Sequence, residues 1–323
     1  MGQYIIRRFL ITIPILFGVT LLTYLIINAS GDPLQQFAFN PRTSPETIER
    51  IRENLGLNEP WYVRYFVWLG NVLTGDLGDS MITFRPVLGT ILDAMPYTIL
   101  LSFLGIAVSL LIALPMGIYS ALHRNGIVDR IFSVFSTAGY AVPIFWLSLL
   151  LIIVFSTKFR EWGLPNLPSG GMMSNRGADA GSLSDRIQHL ILPLVALTLP
   201  SIAAWSRYIR SSMLEEMGQD FVRTARAKGL RNRIVIYRHA LRNALLPLIT
   251  LVGLTIPDIF AGALIIETVF AYQGMGRVAT DALFDKDYTM IMGTTLMYAV
   301  LIILGNLIAD VLQAIADPRI RYD

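Results

Sequence analysis

The stretch from Asp220 to Pro247, DFVRTARAKGLRNRIVIYRHALRNALLP, gathers the side chains best suited to gripping a partner. It places seven basic residues, Arg223, Arg226, Lys228, Arg231, Arg233, Arg238 and Arg242, between two apolar runs long enough to cross a bilayer. Asp220 is suited to capping a helix and Gly229 to ending one. At about 100° per residue, Phe221, Val222, Ala225 and Gly229 share one side of the intervening turns, with Arg223 and Arg226 on the other. Ala225, Ala227 and Gly229 are small enough to admit another backbone or a groove wall. The basic flank favours an acidic partner or anionic lipid head groups. The same pattern also fits a plain positive-inside loop carrying an interfacial helix.

Few other residues carry chemistry. Asp258, after Pro257, and Asp310 sit within apolar runs, and Glu267 closes one. Ionisable groups at such positions are functional candidates by default. Asp258 is placed either to meet a substrate amine in a pathway or to satisfy the backbone freed by Pro257. His123, His189 and His239 are scattered over separate segments and do not suggest a metal site. The chain has no cysteine, no GxxxxGK[ST] phosphate loop and no GxSxG elbow. Disulfides, thiolate chemistry and nucleotide binding through a phosphate loop are therefore excluded, and hydrolase chemistry lacks its usual support.

The elements that hold these residues follow from composition. With 54% hydrophobic and 15% charged residues, this is an all-α, polytopic membrane protein. Its net charge of +3 gives no reason to expect a nucleic-acid partner. Spans are expected at Phe9–Ala29, Tyr97–Ala121, Ile131–Phe155, His189–Ile209, Leu245–Thr268 and Thr289–Leu312. The first exceeds a signal-peptide core and lacks a convincing cleavage site. Six spans put both termini on one side. Fifteen of the 26 Lys and Arg residues then fall on the side of the termini and of loop 206–243, which makes that side cytoplasmic. The domain plan is a first span at 1–30, an extracytoplasmic helical insertion at 31–94, a five-helix core at 95–312 and a tail at 313–323.

Within the insertion, Ser44–Leu55 reads as an amphipathic helix and Trp61–Leu73 as an aromatic one, lying along the interface or offering a peptide platform. GDLGDS, Gly75–Ser80, reads as a turn rather than a metal site. Ser156–Gln188 is an irregular outer loop, either a passive connector or a partner contact. After the fifth apolar run, Gly274 and Gly276 flank Met275 in a tight turn feeding a surface or re-entrant helix, Arg277–Phe284. That turn is a candidate for the outer end of a pathway.

Several of these strings together resemble one family. TARAKGL (Thr224–Leu230), HALRNALLP (His239–Pro247), the RRF opening, the GDP turn, GDLG, the ETVF to GMGR stretch and DPRIR are similar to the B subunit of bacterial oligopeptide and dipeptide ABC-importer permeases. In the wider family this loop is an EAA-then-Gly motif. Here Thr224 stands in place of the Glu, and the Gly229–Pro247 interval is longer than usual, as in the peptide branch. The resemblance implies a type I importer permease fold, without catalysis or a cofactor on this chain. ATP and Mg would reside on two cytoplasmic ATPase subunits. A second, homologous permease subunit and an extracytoplasmic substrate-binding protein would complete the machine in the bacterial inner membrane. It further implies that Phe221, Val222, Arg223, Thr224, Ala225, Arg226, Ala227, Lys228 and Gly229 form the helix that docks the ATPase. Asp258, Glu267, Gly274 and Gly276 are the candidate pathway residues. The cargo expected is a di- or oligopeptide; nickel complexes, glutathione and oligosaccharides are carried by the same branch. An ion-coupled secondary transporter is the competing class, but it would need a coupling-ion site and often repeated halves, and neither is evident.

Overall fold

The computed structural model describes residues 2–31, 34, 46, 49, 52–53, 56–174, 177 and 179–316, with the backbone alone at 2–9, 246–247, 249–250, 254–262 and 312–316. The expected helix at 44–55 and the DPRIR tail lie outside the described residues, isolated positions of the former apart. Ten helices serve as landmarks: α1 (Gly2–Ala29), α2 (Trp61–Leu73), α3 (Val87–Leu122), α4 (Ile127–Ala141), α5 (Ile144–Glu161), α6 (Leu183–Met217), α7 (Asp220–Ala227), α8 (Leu241–Val269), α9 (Met275–Phe284) and α10 (Tyr288–Ala316). The chain divides into two compact units, Met1–Pro96 with Gly274–Leu301, and Tyr97–Gln273 with Ile302–Asp323.

In the first unit α1 exposes nearly all of its apolar length; only 11% of its most apolar window is buried. Tyr65 pins α2 to it. This ring is fully buried, meets Phe17 edge-on and Tyr24 at a tilt, and its hydroxyl lies 3.0 Å from Thr20 Oγ1. The expected turn at Gly75–Ser80 is present: Asp76 accepts from the Gly78 amide at 2.8 Å, and Gly78 adopts a φ of 77°. Asp287, ahead of α10, accepts from the Ser80 hydroxyl and from the Met81 and Met290 amides, so one buried carboxylate ties this loop to a helix start. Leu77, Val87, Ile91, Met275 and Met290 fill the core. Because Val87 and Ile91 are buried there, α3 begins ten residues before the expected Tyr97.

The second unit is built on α6, which runs 35 residues, longer at both ends than His189–Ile209. It lies against α4, α5 and α8. Its start is capped by Ser182, whose side chain accepts from the Asp185 amide. Gly105 and Gly117 of α3 come so close that an added Cβ would lie 2.7 Å from Leu197 and Ile209 respectively. Ser136 of α4 reaches Ser206 of α6 at 3.2 Å. The expected continuous span Ile131–Phe155 is corrected: α4 and α5 meet at a 107° bend. Pro143 has no N–H to continue the helix and holds Val142 extended, so α5 starts afresh after it.

Among the described residues four helices, α1, α3, α6 and α10, are long and apolar enough to cross a membrane, and the bent α4–α5 pair makes a fifth if it is one span. The helix α8 is 29 residues long.

One buried ion pair joins the start of α4 to the last turns of α6. Asp129, 3% exposed, accepts from Arg210 Nε at 2.6 Å and Nη2 at 2.8 Å, from the Ser120 hydroxyl, and from the Asn125 amide at 2.9 Å. Removing one partner strands the other charge, so Arg210→Met should destabilise this unit by about 3 kcal/mol. The double replacement Asp129→Leu with Arg210→Leu should recover most of that loss, as read from thermal unfolding of the purified protein in detergent.

Candidate functional site

Helix α7 hangs from the end of α6 and occupies the predicted place, but its faces are divided differently. Val222 and Ala225 are buried in the unit's own core with Met213, Val235, Ile236 and Ala240. Phe221, Arg223, Thr224, Arg226, Ala227, Lys228 and Gly229 are exposed. The single apolar stripe expected from the sequence is thus corrected. Its Val222–Ala225 half secures α7 to this chain, and the face available to a partner is Phe221, Thr224, Ala227 and Lys228, flanked by the arginines. The cap is corrected too, since Gln219 precedes the helix, Asp220 begins it, and no side chain caps it. Asp220 instead stands 3.6 Å from Arg223.

The end of α7 is as the glycine suggested. Gly229 has φ 75°, its amide donates to Arg226 O at 2.9 Å, and the Leu230 amide reaches Ala225 O at 3.4 Å. This is a Schellman ending. The chain then re-enters through Asn232–Ile234 and a π-helical turn, Val235–Ala240, before α8. Val235 and Ala240 are buried in the same core as Val222, while Arg231, Arg233 and Arg238 are exposed. The basic flank therefore continues along the whole re-entry.

The far end of α8 forms a second corner. Glu267 is fully buried, and Thr98 donates to its Oε1 at 2.7 Å. Helix α8 ends in another Schellman pattern, with Ala271 to Thr268 O at 3.2 Å and Tyr272 to Glu267 O at 2.8 Å. Here Ala271, not glycine, takes the left-handed position at φ 50°. Burial, then the Glu267 charge, then Tyr97 push the Tyr272 phenol up to about 12, which keeps it neutral. The Gly171 amide donates to Phe270 O at 2.7 Å, and a Cβ on Gly170 would stand 2.5 Å from that oxygen. The loop ahead of α6 is bound to this corner at Gly170–Gly171.

Gly274 and Gly276 are corrected from a tight turn to a helix start. Gly274 is extended ahead of α9 and Gly276 lies in its buried first turn. They belong to the first unit and Glu267 to the second. Asp258 lies on α8, with only its backbone described. The structure gathers the α7 residues on one element, with Asp258 and Glu267 on α8 and Gly274 and Gly276 at the start of α9.

Two organising carboxylates were missed. Asp129 is not singled out by the sequence pattern, because its partner Arg210 is 81 positions away. Asp185 accepts from the Ser174 amide and hydroxyl, both at 2.7 Å, and from the Gly181 amide at 3.0 Å, so part of the loop read as irregular is pinned. The Ser182-x-x-Asp185 capping pattern was the legible signal. His189 lies one turn on, with Nδ1 2.9 Å from Asp185 O. Among the described residues no three His, Cys, Asp or Glu side chains converge as metal ligands.

The sequence profile described as "Binding-protein-dependent transport system inner membrane component" matches residues 113–322, and its N-terminal companion matches residues 1–102. The chain belongs to this family. As a family member it is a multi-pass inner-membrane permease component. It is 42% identical over 324 residues to the oligopeptide transport system permease protein AppB of Bacillus subtilis (strain 168), covering all of both chains. It is 36% identical over 343 residues to the dipeptide transport system permease protein DppB of Escherichia coli (strain K12), covering 100% of this chain and 99% of that one. The fold of this permease is shared with an inward-facing structure of the MetNI methionine ABC transporter. That match has a TM-score of 0.55 at 16% identity and covers 71% of this chain and 97% of the other. An amino acid ABC transporter crystallised with histidines matches with a TM-score of 0.51 at 14% identity, covering 70% of this chain and 93% of that one.

The two Schellman endings of the permease make opposite expectations. Ala271→Gly removes a left-handed alanine and should stabilise the protein by about 1 kcal/mol, whereas Gly229→Ala introduces one and should cost about 1 kcal/mol. Thermal unfolding of the two variants beside the parent tests the pair, and shifts of the same sign contradict it.

Proposed function

We propose that this chain is one of two permease subunits that together form a pathway for short peptides, driven by separate ATP-hydrolysing subunits. The observation that carries the reading is α7. It is a short helix fixed to its own core by Val222 and Ala225 while Phe221, Thr224, Ala227 and Lys228 face outward. A helix held this way can move α6 and α8 when a partner pushes it. The names of AppB and DppB, relatives matched over the full chain, support peptide as the cargo.

In this reading the bent α4–α5 pair and α8 each count as one span. That makes six, with both termini and α7 in the cytoplasm. ATP and Mg sit on two partner ATPases, and an extracytoplasmic binding protein delivers the peptide. ATP binding closes the ATPases and shifts α7; α4–α6 and α8 turn outward to accept cargo, and hydrolysis resets them. Nucleotide state supplies the difference in affinity that alternating access needs. Asp258 on α8 is the candidate pathway group for a peptide ammonium. Glu267, which accepts from Thr98, holds the outer corner of α8, and Gly274 and Gly276 at the start of α9 are the other candidate pathway positions. The chain itself holds no nucleotide and carries out no bond chemistry.

The reading is tested on the reconstituted complex. Phe221→Asp and Thr224→Trp alter the exposed face without touching Val222 or Ala225. Each should cut peptide-stimulated ATP hydrolysis and uptake about tenfold or more, as expected when a buried anchor of an interface is lost, with the chain still folded and membrane-inserted. Full coupled activity in both variants would falsify the docking role. Uptake driven by an ion gradient without ATP would move the chain to the secondary-transporter class.

A further inference from the structure

The structure separates the basic residues that follow α6. Arg223, Arg226 and Lys228 belong to α7 and its end, whereas Arg238 and Arg242 lie on either side of the junction between the π-helical turn Val235–Ala240 and α8. Along this junction Ile236, Ala240, Ala244 and Leu248 recur at every fourth position and are buried in the core of the unit. The adjoining face carries Tyr237, Leu241 and Leu245, with Arg238 and Arg242 beside them. These five residues line one shallow groove of about 470 Å³. Tyr237 is half-exposed, Leu241 and Leu245 are half-buried, and both arginines are exposed. Among the described residues no ion pair joins either arginine to a carboxylate.

The groove thus has an apolar stripe and a cationic stripe side by side, each repeating once per turn. Leu245 opens the apolar run 245–268 of α8, so the stripe of Tyr237, Leu241 and Leu245 leads straight into the stretch that crosses the bilayer. The arginines stand before that run, where long cationic side chains keep their charge at the level of the head groups. A tyrosine at the head of the apolar stripe is likewise the residue type that settles at the membrane–water boundary. An acidic protein surface would satisfy the arginines alone. A ligand with an anionic head and acyl chains satisfies both stripes, and the cytoplasmic leaflet is where anionic lipids attract basic residues beside a span.

We propose that this groove binds one anionic phospholipid whose head group carries a phosphodiester and no ammonium. The phosphodiester accepts from Arg238 and Arg242, the guanidinium being the side chain best matched to phosphate oxygens, and an acyl chain follows Leu241 and Leu245 into the bilayer. The lipid takes the start of α8 and leaves Phe221, Thr224 and Ala227 of α7 to the protein partner. The site rests on the reading of α8 as a span. It does not depend on peptide as the cargo or on α7 as the docking helix, so lost coupling in Phe221→Asp and lost lipid here are separate results.

The test uses the assembled transporter, stripped of loosely held lipid in mild detergent, with retained lipid counted by native mass spectrometry. It is exposed to dioleoylphosphatidylglycerol, to dioleoylphosphatidylcholine, or to the former with sn-glycerol 3-phosphate, and the first arm is repeated after the ATPases are removed. The parent should retain about one more phosphatidylglycerol per copy of this chain than the double variant Arg238→Gln with Arg242→Gln. Each single replacement should weaken binding about tenfold, the scale of one charge-assisted hydrogen bond. Arg233→Gln, exposed on the same re-entry but outside the groove, should bind as the parent does. All three positions are exposed, so the variants should unfold thermally as the parent does. Equal retention in parent and double variant overturns the site, and equal weakening by Arg233→Gln overturns it by showing diffuse attraction to a basic loop. Equal retention of phosphatidylcholine overturns the anionic head group. Displacement by glycerol phosphate shows a site for soluble phosphate instead, and retention only without the ATPases shows that a protein surface covers the groove; either overturns the lipid assignment.

Discussion

Helices in lipid gain little from apolar contact with one another, because the acyl chains are as apolar as leucine; they associate by close approach and by polar contacts. Helix α6 shows both. Gly105 and Gly117 bring α3 against Leu197 and Ile209, Gly139 brings α4 within van der Waals reach of Leu199 and Ala203, and the Ser136–Ser206 contact lies in the same crossing. A larger side chain at Gly117 would have to displace the Ser206 carbonyl as well as Ile209, since both would stand 2.7 Å from the new Cβ. The tightness of these crossings is what gives α6 a defined position among its neighbours.

From that position the rest of the second unit follows. The bidentate Asp129–Arg210 pair holds the last turns of α6 to the start of α4, and α7 begins three residues after α6 ends. The buried half of α7 returns to the same core. Helix α7 is therefore held to this core by packed side chains, beside an end of α6 fixed by a salt bridge. At the other end of α6, Asp185 gathers Ser174 and Gly181, and Gly171 donates to the carbonyl of Phe270 at the corner where Glu267 is buried. Both ends of the longest helix of this unit are thus fastened by carboxylates. In an environment of low dielectric, such groups are stable only when fully paired.

The first unit uses the same economy of polar contacts. Asp287 alone receives three donors from the loop and from α10, and Tyr65 joins α2 to α1 by one hydroxyl and a set of ring contacts. Among the described residues, Arg64 Nε and Trp68 Nε1 are buried without a hydrogen-bond partner, while Arg64 Nη2 donates to Asn28.

The sequence alone determined the class of protein, the approximate places of the apolar helices, the short helix ending at Gly229 and, through TARAKGL and HALRNALLP, the family. Those are properties of composition, periodicity and local turn chemistry, which a linear string carries. Only the tertiary structure decided which face of α7 is available. Phe221, Val222, Ala225 and Gly229 look alike on a helical wheel, and the choice of Val222 and Ala225 for burial depends on where Met213, Val235 and Ala240 lie. It likewise decided that Asp129 pairs with Arg210, 81 positions away, and that Ala271 takes the left-handed position expected of a glycine. Each of these is set by contacts between segments far apart in the chain, and distance in sequence leaves no periodic trace.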